Sequence, residues 1–549
     1  MLTPSPALGF TSRGRFRLWL RSTSGLRLAP RRCETPPAYP ARLRSSPGIR
    51  SVSPGRVAGR RSPLAALGSA GAGGSPIEMF RRLLDSPTTY FVAAGLMVLV
   101  AVAAQFDLSF PSRTVGEAAE IRELRDRDDL NLVFIVVDTL RADRVGVYGY
   151  ERPTTENLDA LAQHGIVFRD VLAQSSWTKT SMASLWTGTL PFNNGILRFG
   201  DALPTEARLP AEILRDAGFR TAGIYRNGWV APNFGFDQGF EFYQRPRPGR
   251  SRMEAESRHP AGGTLEGSDE DSLVAAMDFL HSFGNERFFL YMHMMDLHQY
   301  RYAEGTPDFG SSYSDYYDMA IHWTDRVIGH LHEQLRKSGQ LQNTIIVIAS
   351  DHGEAFREHG FEGHARNLFT EVVNVPWIIG LPFQLDPGVV IDEPVSNIDI
   401  WPTLLDLMGL PGLTNPDGRS LVPLILERAG VQDSNTSWRR PQFAYLDRGW
   451  GWPEREIPIV AVTDSGRKLV WWPKLDPPEF QLFDTEADPG EQTNLYVPGD
   501  PDTERLFDAA REKYESPQNA WGVEARQVEL DEMRLNQLRA LGYAVPRQR

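Results

Sequence analysis

Cysteine is all but missing: the 549 residues hold one, Cys33. No disulfide can brace the chain from within, so a folded body must rest on its apolar core and on any bound metal. Lysine is absent from residues 1–76, where thirteen Arg face a single acid, Glu34; that stretch carries +12 and the remainder −24 of a net charge of −12. An acidic main body argues against nucleic acid as a partner. No internal repeat and no nucleotide-type glycine fingerprint occur, so neither a repeat array nor a dinucleotide site is expected.

What is present at the N-terminus is Arg, Pro, Ser and Gly with apolar residues in no period. Residues 1–78 are read as a disordered segment; the same composition also resembles an organelle transit peptide, and Met79 is an alternative start. Residues 87–106 carry no charge. Twenty residues at 1.5 Å rise span roughly 30 Å, about one hydrocarbon core. Arg81 and Arg82 precede the run, so residues 87–106 are expected to form one transmembrane or signal-anchor helix that crosses the cell membrane once and places the rest on the extracytoplasmic side. Alternatives are a buried core helix and a cleavable signal with Ala101-Val102-Ala103 at its end, which would release a secreted protein. Residues 107–130 read as a linker.

Two short runs rich in β-branched residues, Leu132 to Val137 and Thr344 to Ala349, read as buried strands of a parallel sheet. They lead into Asp138 and into Asp351-His352-Gly353-Glu354. Ligands gather at the carboxyl ends of such strands, so these acids and His352 stand where chemistry is expected, although Asp138 alone could cap a helix and an Asp-His pair could be loop. Ser175 to Gly188 places Thr178 at or just before a helix N-terminus, as an ordinary cap or beside an anion.

Helix and strand then alternate. Helices are expected at 154–164, 206–217, 271–283, 316–335 and from Asp399, and strands at 220–225, 287–292 and 375–380. The order implies an α/β, doubly wound, mostly parallel sheet flanked by helices over 131–430. Residues 245–269 look like a long surface loop. The region 440–549 changes to short strands, which implies a small C-terminal antiparallel β subdomain closed by a helix over Glu524 to Leu541. Trp450, Trp452 and Arg455 could shape specificity there or simply pack the subdomain.

Val137-Asp138-Thr139-Leu140-Arg141-Ala142-Asp143, Ser184 to Gly188, Asp351 to Glu354, Gly363-His364, Asn374-Val375-Pro376, Asp399 to Leu405 and Leu482 to Glu491 follow in one order. In that order they resemble the sulfatase branch of the alkaline phosphatase superfamily over roughly residues 130–500. The resemblance implies a hydrolase with a divalent metal on Asp138, Asp351 and His352, beside a nucleophile at Thr178. It implies roles for His298 and His364 toward a second metal or the substrate oxyanion. Arg366 would grip nonbridging oxygens with help from Lys179. His293, His359 and Asp296 are read as structural.

Two departures narrow the expectation. Formylglycine sulfatases carry Cys or Ser as nucleophile, Pro two residues on and Arg four residues on; here stand Thr178, Thr180 and Met182. Formylglycine is therefore not expected. Thr139 and His352 replace a second Asp and an Asn, which favours zinc or manganese over calcium or magnesium. The leading expectation is a metal-dependent hydrolase of phosphate esters, of the diester kind, acting on a small-molecule or envelope ester substrate through a threonine. Alternatives are a sulfatase without formylglycine, a phosphoethanolamine- or phosphoglycerol-type transferase, and a noncatalytic surface-binding protein that kept the fold.

Overall fold

Asn131–Val137 (β1) is buried at all seven positions, and its residues divide between two cores. Leu132, Phe134 and Val136 face one and Val133, Ile135 and Val137 the other, because successive side chains of a strand point to opposite faces. A strand with no polar face must be covered on both sides, and this fixes a three-layer architecture. The computed structural model describes residues 86–103, 113–250, 255–257, 266–433, 436–449 and 455–529.

Seven further strands complete the large sheet: Ile166–Phe168 (β2), Arg220–Tyr225 (β3), Phe242–Gln244 (β4), Phe288–Met294 (β5), Thr344–Ala349 (β6), Trp377–Gly380 (β7) and Val389–Ile391 (β8). Their order is β8-β2-β7-β6-β1-β5-β3-β4. All pairs are parallel except those of β7, which runs against β6 and β2. The mostly parallel, doubly wound sheet expected from the alternation of elements is therefore found, with β1 at its centre.

On one face lie Glu156–Gln163 (α2), Asp269–Phe283 (α4) and the long Tyr313–Lys337 (α5). On the other lie Thr178–Thr187 (α3) and Ile400–Leu407 (α6). Every residue of α3 is buried. Trp186 of α3 stacks on Trp401 of α6 with ring centroids 5.2 Å apart, and Trp401 meets Phe134 of β1 at 5.0 Å. Rings of this size bury enough apolar area to clamp α3 to the sheet. The helix expected at 206–217 starts only at Pro210, since proline is best accommodated in the first turn.

Four strands, Gln442–Asp447 (β9), Pro458–Asp464 (β10), Arg467–Trp472 (β11) and Glu479–Asp484 (β12), form the small antiparallel sheet in simple meander order. The helix that closes it is Pro501–Glu515 (α7), with Leu506 and Ala510 in the subdomain core. It begins at Asp500, whose side chain accepts from the Thr503 amide, and at Pro501. The closing helix expected over Glu524 to Leu541 is corrected in its described part: Arg526–Gln527 is extended and pairs with Asp201–Ala202. Residues 530–549 lie outside the described residues.

The N-terminal unit, Met1–Gln105, is described only at its end, where Pro87–Ala103 (α1) is helical. Among the described residues no helix is long and apolar enough to cross a membrane; α1 covers 17 of the residues expected to span, and 104–106 lie outside them. Cys33, the Arg-rich segment, Trp450 and Trp452 also lie outside. Within the expected loop 245–269, Ala255–Ser257 pairs with Arg301–Ala303.

Candidate active site

The carboxyl ends of four neighbouring parallel strands, β6, β1, β5 and β3, deliver Asp351, Asp138, His293 and Asn227 to one place. The register Val136 to His293 sets β5 beside β1. It brings His293 Nε2 to 2.9 Å from Asp138 Oδ2. The same oxygen accepts from Asn227 Nδ2 at 2.7 Å. Asp351 Oδ1 accepts from the amides of Thr139 and His352 at 3.2 and 3.0 Å. From the covering layer, Ser181 of α3 donates to the Asp351 carbonyl at 2.5 Å.

Thr178 is the first residue of α3, after an extended Trp177, so its hydroxyl stands at the helix N-terminus. Its Oγ1 lies 3.1 Å from His352 Nε2 and 3.4 Å from Asn227 Nδ2. His352 Nδ1 is 3.0 Å from the Gly353 carbonyl, which keeps the ring turned with Nε2 toward Thr178. Thr139 follows Asp138 with φ 66°, a left-handed conformation costly for a β-branched residue. It is held there by Asp351 and by Tyr317, whose hydroxyl donates to the Thr139 carbonyl at 2.6 Å.

The two carboxylates are fully buried. Asp351 is pushed up, by burial and by the Asp138 charge, with His352 opposing. Burial also works against Asp138, but His298, His293 and His352 outweigh it and hold its carboxyl below the usual range. Burial lowers the His352 imidazole, yet Asp351 and Asp138 leave it above its ordinary value. His298 is pushed down to about 4 by burial. His364 falls well below its ordinary value through burial and the neighbouring His352. These two are neutral at pH 7, with ring centroids 5.0 Å apart, and His364 lies 4.5 Å from the His352 ring. Glu354 orients His364 through Oε2 at 3.0 Å from Nδ1.

The residues fit a small divalent ion. Asp138 Oδ1 and Asp351 Oδ2 are buried with no hydrogen-bond partner, a costly state for an ionised oxygen. Thr178 Oγ1 to His352 Nε2 is 3.1 Å and His352 Nε2 to Asp351 Oδ2 is 3.3 Å. Ligands at about 2.0 Å in a tetrahedron are separated by roughly 3.3 Å. Asp138, His293 and Asp351 also offer ligand atoms that all lie within 4.8 Å of one another.

The geometry redistributes some expected roles. Lys179 is corrected: one residue along the helix from Thr178, it is turned away and fully buried. Its Nζ donates to the carbonyls of Phe199 and Asp201 at 2.7 Å each and sits 4.3 Å from the centre of the Phe234 ring. Burial pulls the Lys179 amine down to about 7, and its N–H donors are committed to the scaffold. Arg366 is exposed and donates to the Glu362 carbonyl at 3.2 Å, close enough for its charge to bear on His364. His359, bonded to Glu371 and to the Glu491 carbonyl, and Asp296, paired with Arg226, have the structural settings read for them. His293 does not; it belongs to the cluster. Asn227 was not singled out, though its place two residues past an expected strand end was a usable signal.

Residues 130–410 match the Sulfatase family model, and residues 357–519 match the model for the C-terminal part of N-sulphoglucosamine sulphohydrolase. The ulvan-active sulfatase of Formosa agariphila is 24% identical over 68% of this chain and 78% of its own length. Arylsulfatase K of Gallus gallus is 32% identical over 33% of each chain, so the alignment spans a third of that relative. The phosphonate monoester hydrolase of Agrobacterium radiobacter shares the fold, with a TM-score of 0.53, 21% identity, and coverage of 69% of this chain and 94% of that one. With more than half of its residues inside the family model, the chain belongs to the sulfatase family.

Proposed function

We propose that this protein is a metal-dependent hydrolase of phosphate esters, diesters above all, that works through Thr178. The observation that carries the reading is Thr178 Oγ1 at a helix N-terminus, 3.1 Å from His352 Nε2 and beside two buried carboxylates with unpartnered oxygens. Asp138, Asp351 and His352 would hold a zinc or manganese ion with Thr178 as the fourth ligand. The nitrogen donor favours these over calcium or magnesium. Such an ion lowers the pKa of a hydroxyl beside it and offsets charge on the attacked centre.

The chain's own groups do the rest. Asn227 Nδ2 bridges Asp138 Oδ2 and Thr178 Oγ1 and so fixes the nucleophile's oxygen. His293 Nε2–H on Asp138 Oδ2 leaves Oδ1 of that carboxylate available. Thr178 Oγ1 bonds to phosphorus as the bond to the leaving oxygen breaks, the hydroxyl proton passing by way of solvent to that oxygen so that it departs as the alcohol; water then attacks phosphorus, the Thr178 O–P bond breaks, and a proton from that water restores the hydroxyl as the phosphate product leaves. Backbone N–H groups at the start of α3 favour the anion. Neutral His298, whose Nδ1 accepts from Gln299, carries an N–H on Nε2 for the phosphoryl oxygens or the leaving oxygen, whereas the one N–H of neutral His364 is given to Glu354; Arg366 adds positive charge at the rim.

The experiment is turnover of bis-aryl phosphate against aryl sulfate by residues 107–549 supplied with zinc or manganese. The expected ratio is well above one, with turnover reduced at least about 10³-fold in Thr178→Ala. A ratio below one would favour the second reading, a sulfate ester hydrolase without formylglycine, which the sulfatase relatives support. Full turnover in Thr178→Ala would defeat both. We also assign the catalytic body to the extracytoplasmic side, on the basic pair Arg81-Arg82 ahead of the uncharged 87–106 run. Protease accessibility of 107–549 in intact cells tests that assignment.

A further inference from the structure

The parallel ladder between β3 and β5 ends with Tyr225 opposite His293. Past that pair, each chain segment carries one group of the site: Asn227 follows β3 and His298 follows β5. Asn227 Nδ2 holds Asp138 Oδ2 at 2.7 Å and reaches Thr178 Oγ1 at 3.4 Å, and its Oδ1 is fixed by the Trp229 amide at 2.8 Å. His298 bears on the Asp138 charge, and its ring centroid lies 5.0 Å from that of His364. The bonds of the sheet stop short of both groups, so something else must set one against the other.

A buried charge cluster joins the two segments. Arg226 adjoins Asn227, Asp296 stands two residues before His298, and Asp269 is the first residue of α4; all three are buried. Arg226 Nη1 donates to Asp296 Oδ1 at 2.6 Å and to Asp269 Oδ1 at 2.8 Å, while Nη2 donates to the Gly267 carbonyl at 2.6 Å. Asp296 Oδ2 accepts from the Asp269 amide at 2.8 Å and from Trp323 Nε1 at 2.9 Å. Asp269 accepts in turn from the amides of Met295 and Asp296, at 2.8 Å each. One guanidinium thus ties the residue before Asn227 to the loop of His298, and α4 anchors both. Buried ion clusters are a poor source of stability, since well-packed apolar residues of similar volume often do as well. What charge-assisted hydrogen bonds add is fixed direction. Direction counts at this place, because a misplacement of about 1 Å can cost on the order of 10²-fold in rate.

We infer that Arg226, held by Asp296 and Asp269, is a positioning residue that sets Asn227 and His298 against Thr178. The inference rests on the ester-hydrolase reading for what those two groups do. Its test is a pair of double-mutant cycles on the full chain, supplied with zinc or manganese and turning over bis(4-nitrophenyl) phosphate. Arg226→Gln lowers kcat at least about tenfold while KM stays within about threefold. That cost shrinks by at least about threefold when Arg226→Gln is made in Asn227→Ala, and likewise in His298→Ala, because a positioning residue has less to lose once the group it positions is gone. A merely structural role would lower the active fraction by the same factor in every background. Additive losses in both cycles therefore overturn the inference. Should Arg226→Gln fail to fold, Asp296→Asn takes its place in the cycles: its amide oxygen can keep the bonds from Asp269 and Trp323 while its N–H groups turn toward Arg226. Turnover that survives Thr178→Ala overturns the ester-hydrolase reading, and the coupling measured on the same substrate still decides the role of Arg226.

Discussion

Removing one charge from the buried acid pair tests the metal reading without measuring activity. In Asp351→Asn, Oδ1 can still accept from Thr139 and His352, while the atom replacing Oδ2 becomes a donor 3.3 Å from His352 Nε2. Asp351 and Asp138 offer oxygens within 4.8 Å of one another. At an effective dielectric constant near 20, two unit charges at that spacing repel by about 3 kcal/mol. The imidazole of His352, held above its ordinary value by these acids, offsets part of this. Without metal the variant is therefore expected to be more stable than the native chain by about 2 kcal/mol, roughly 2–4 °C in Tm for a body of this size. With metal at a thousandfold excess over Kd the native chain gains about 4 kcal/mol, and the variant, short of a ligand, gains far less. Thermal unfolding followed by circular dichroism, in chelator and then in zinc or manganese, should show the order of the two proteins invert. A variant that melts below the native chain in chelator, or equal metal shifts for both, would refute the reasoning.

Three further outcomes follow from other parts of the molecule. Lys179→Ala empties a cage of rings and leaves two carbonyls unpartnered, so a loss of about 3 kcal/mol by denaturant unfolding is expected, with Lys179→Met milder. Gly353→Ala would set a Cβ 2.2 Å from the Glu371 carbonyl oxygen; the loop after His352 must move, and activity should fall by at least tenfold while the β9–β12 sheet, read by hydrogen exchange, stays intact. Asp325 is raised to about 6 by burial, against hydrogen bonds from Asn157 and Leu158. A carboxyl raised on folding contributes stability that is full below its unfolded pKa near 4 and is lost as pH rises through about 6, on the order of 3 kcal/mol in all. Asp325→Asn should accordingly flatten the pH slope of stability between pH 4 and 6.5; an unchanged slope would count against this assignment.

Most of the sheet and half of the site could be read from local pattern. β1 and β6 announce themselves as uninterrupted apolar runs, and the acids that follow them sit at strand ends, where a parallel sheet gathers ligands. Thr178 was legible because small and hydroxyl residues precede an apolar helix that stops at Gly188, which is left-handed at φ 65°. His293 was not, because nothing in Phe-Phe-Leu-Tyr-Met-His-Met distinguishes it from a core histidine. Only the register of β5 against β1 puts it on Asp138, and register is a property of segments some 157 residues apart. Lys179 erred the other way: adjacency in sequence to Thr178 suggested a shared target, but neighbours on a helix point about 100° apart. The α7 helix was hidden by its charge, with Leu506 and Ala510 in a core and Phe507, Ala509 and Tyr514 packed against it.

The strand order sets a timetable for the chain. β1 has no partner when it is made: Val136 pairs with His293, 157 residues later, and Leu132 with Ile345, 213 residues later. At synthesis rates of roughly 5–20 residues per second, the wait for β6 is about 10–40 s. Until Phe288–Met294 and then Thr344–Ala349 are made, β1 lacks its sheet partners on both edges. Parallel pairings of such long range form slowly and are open to aggregation meanwhile. Refolding yield should therefore fall steeply with protein concentration.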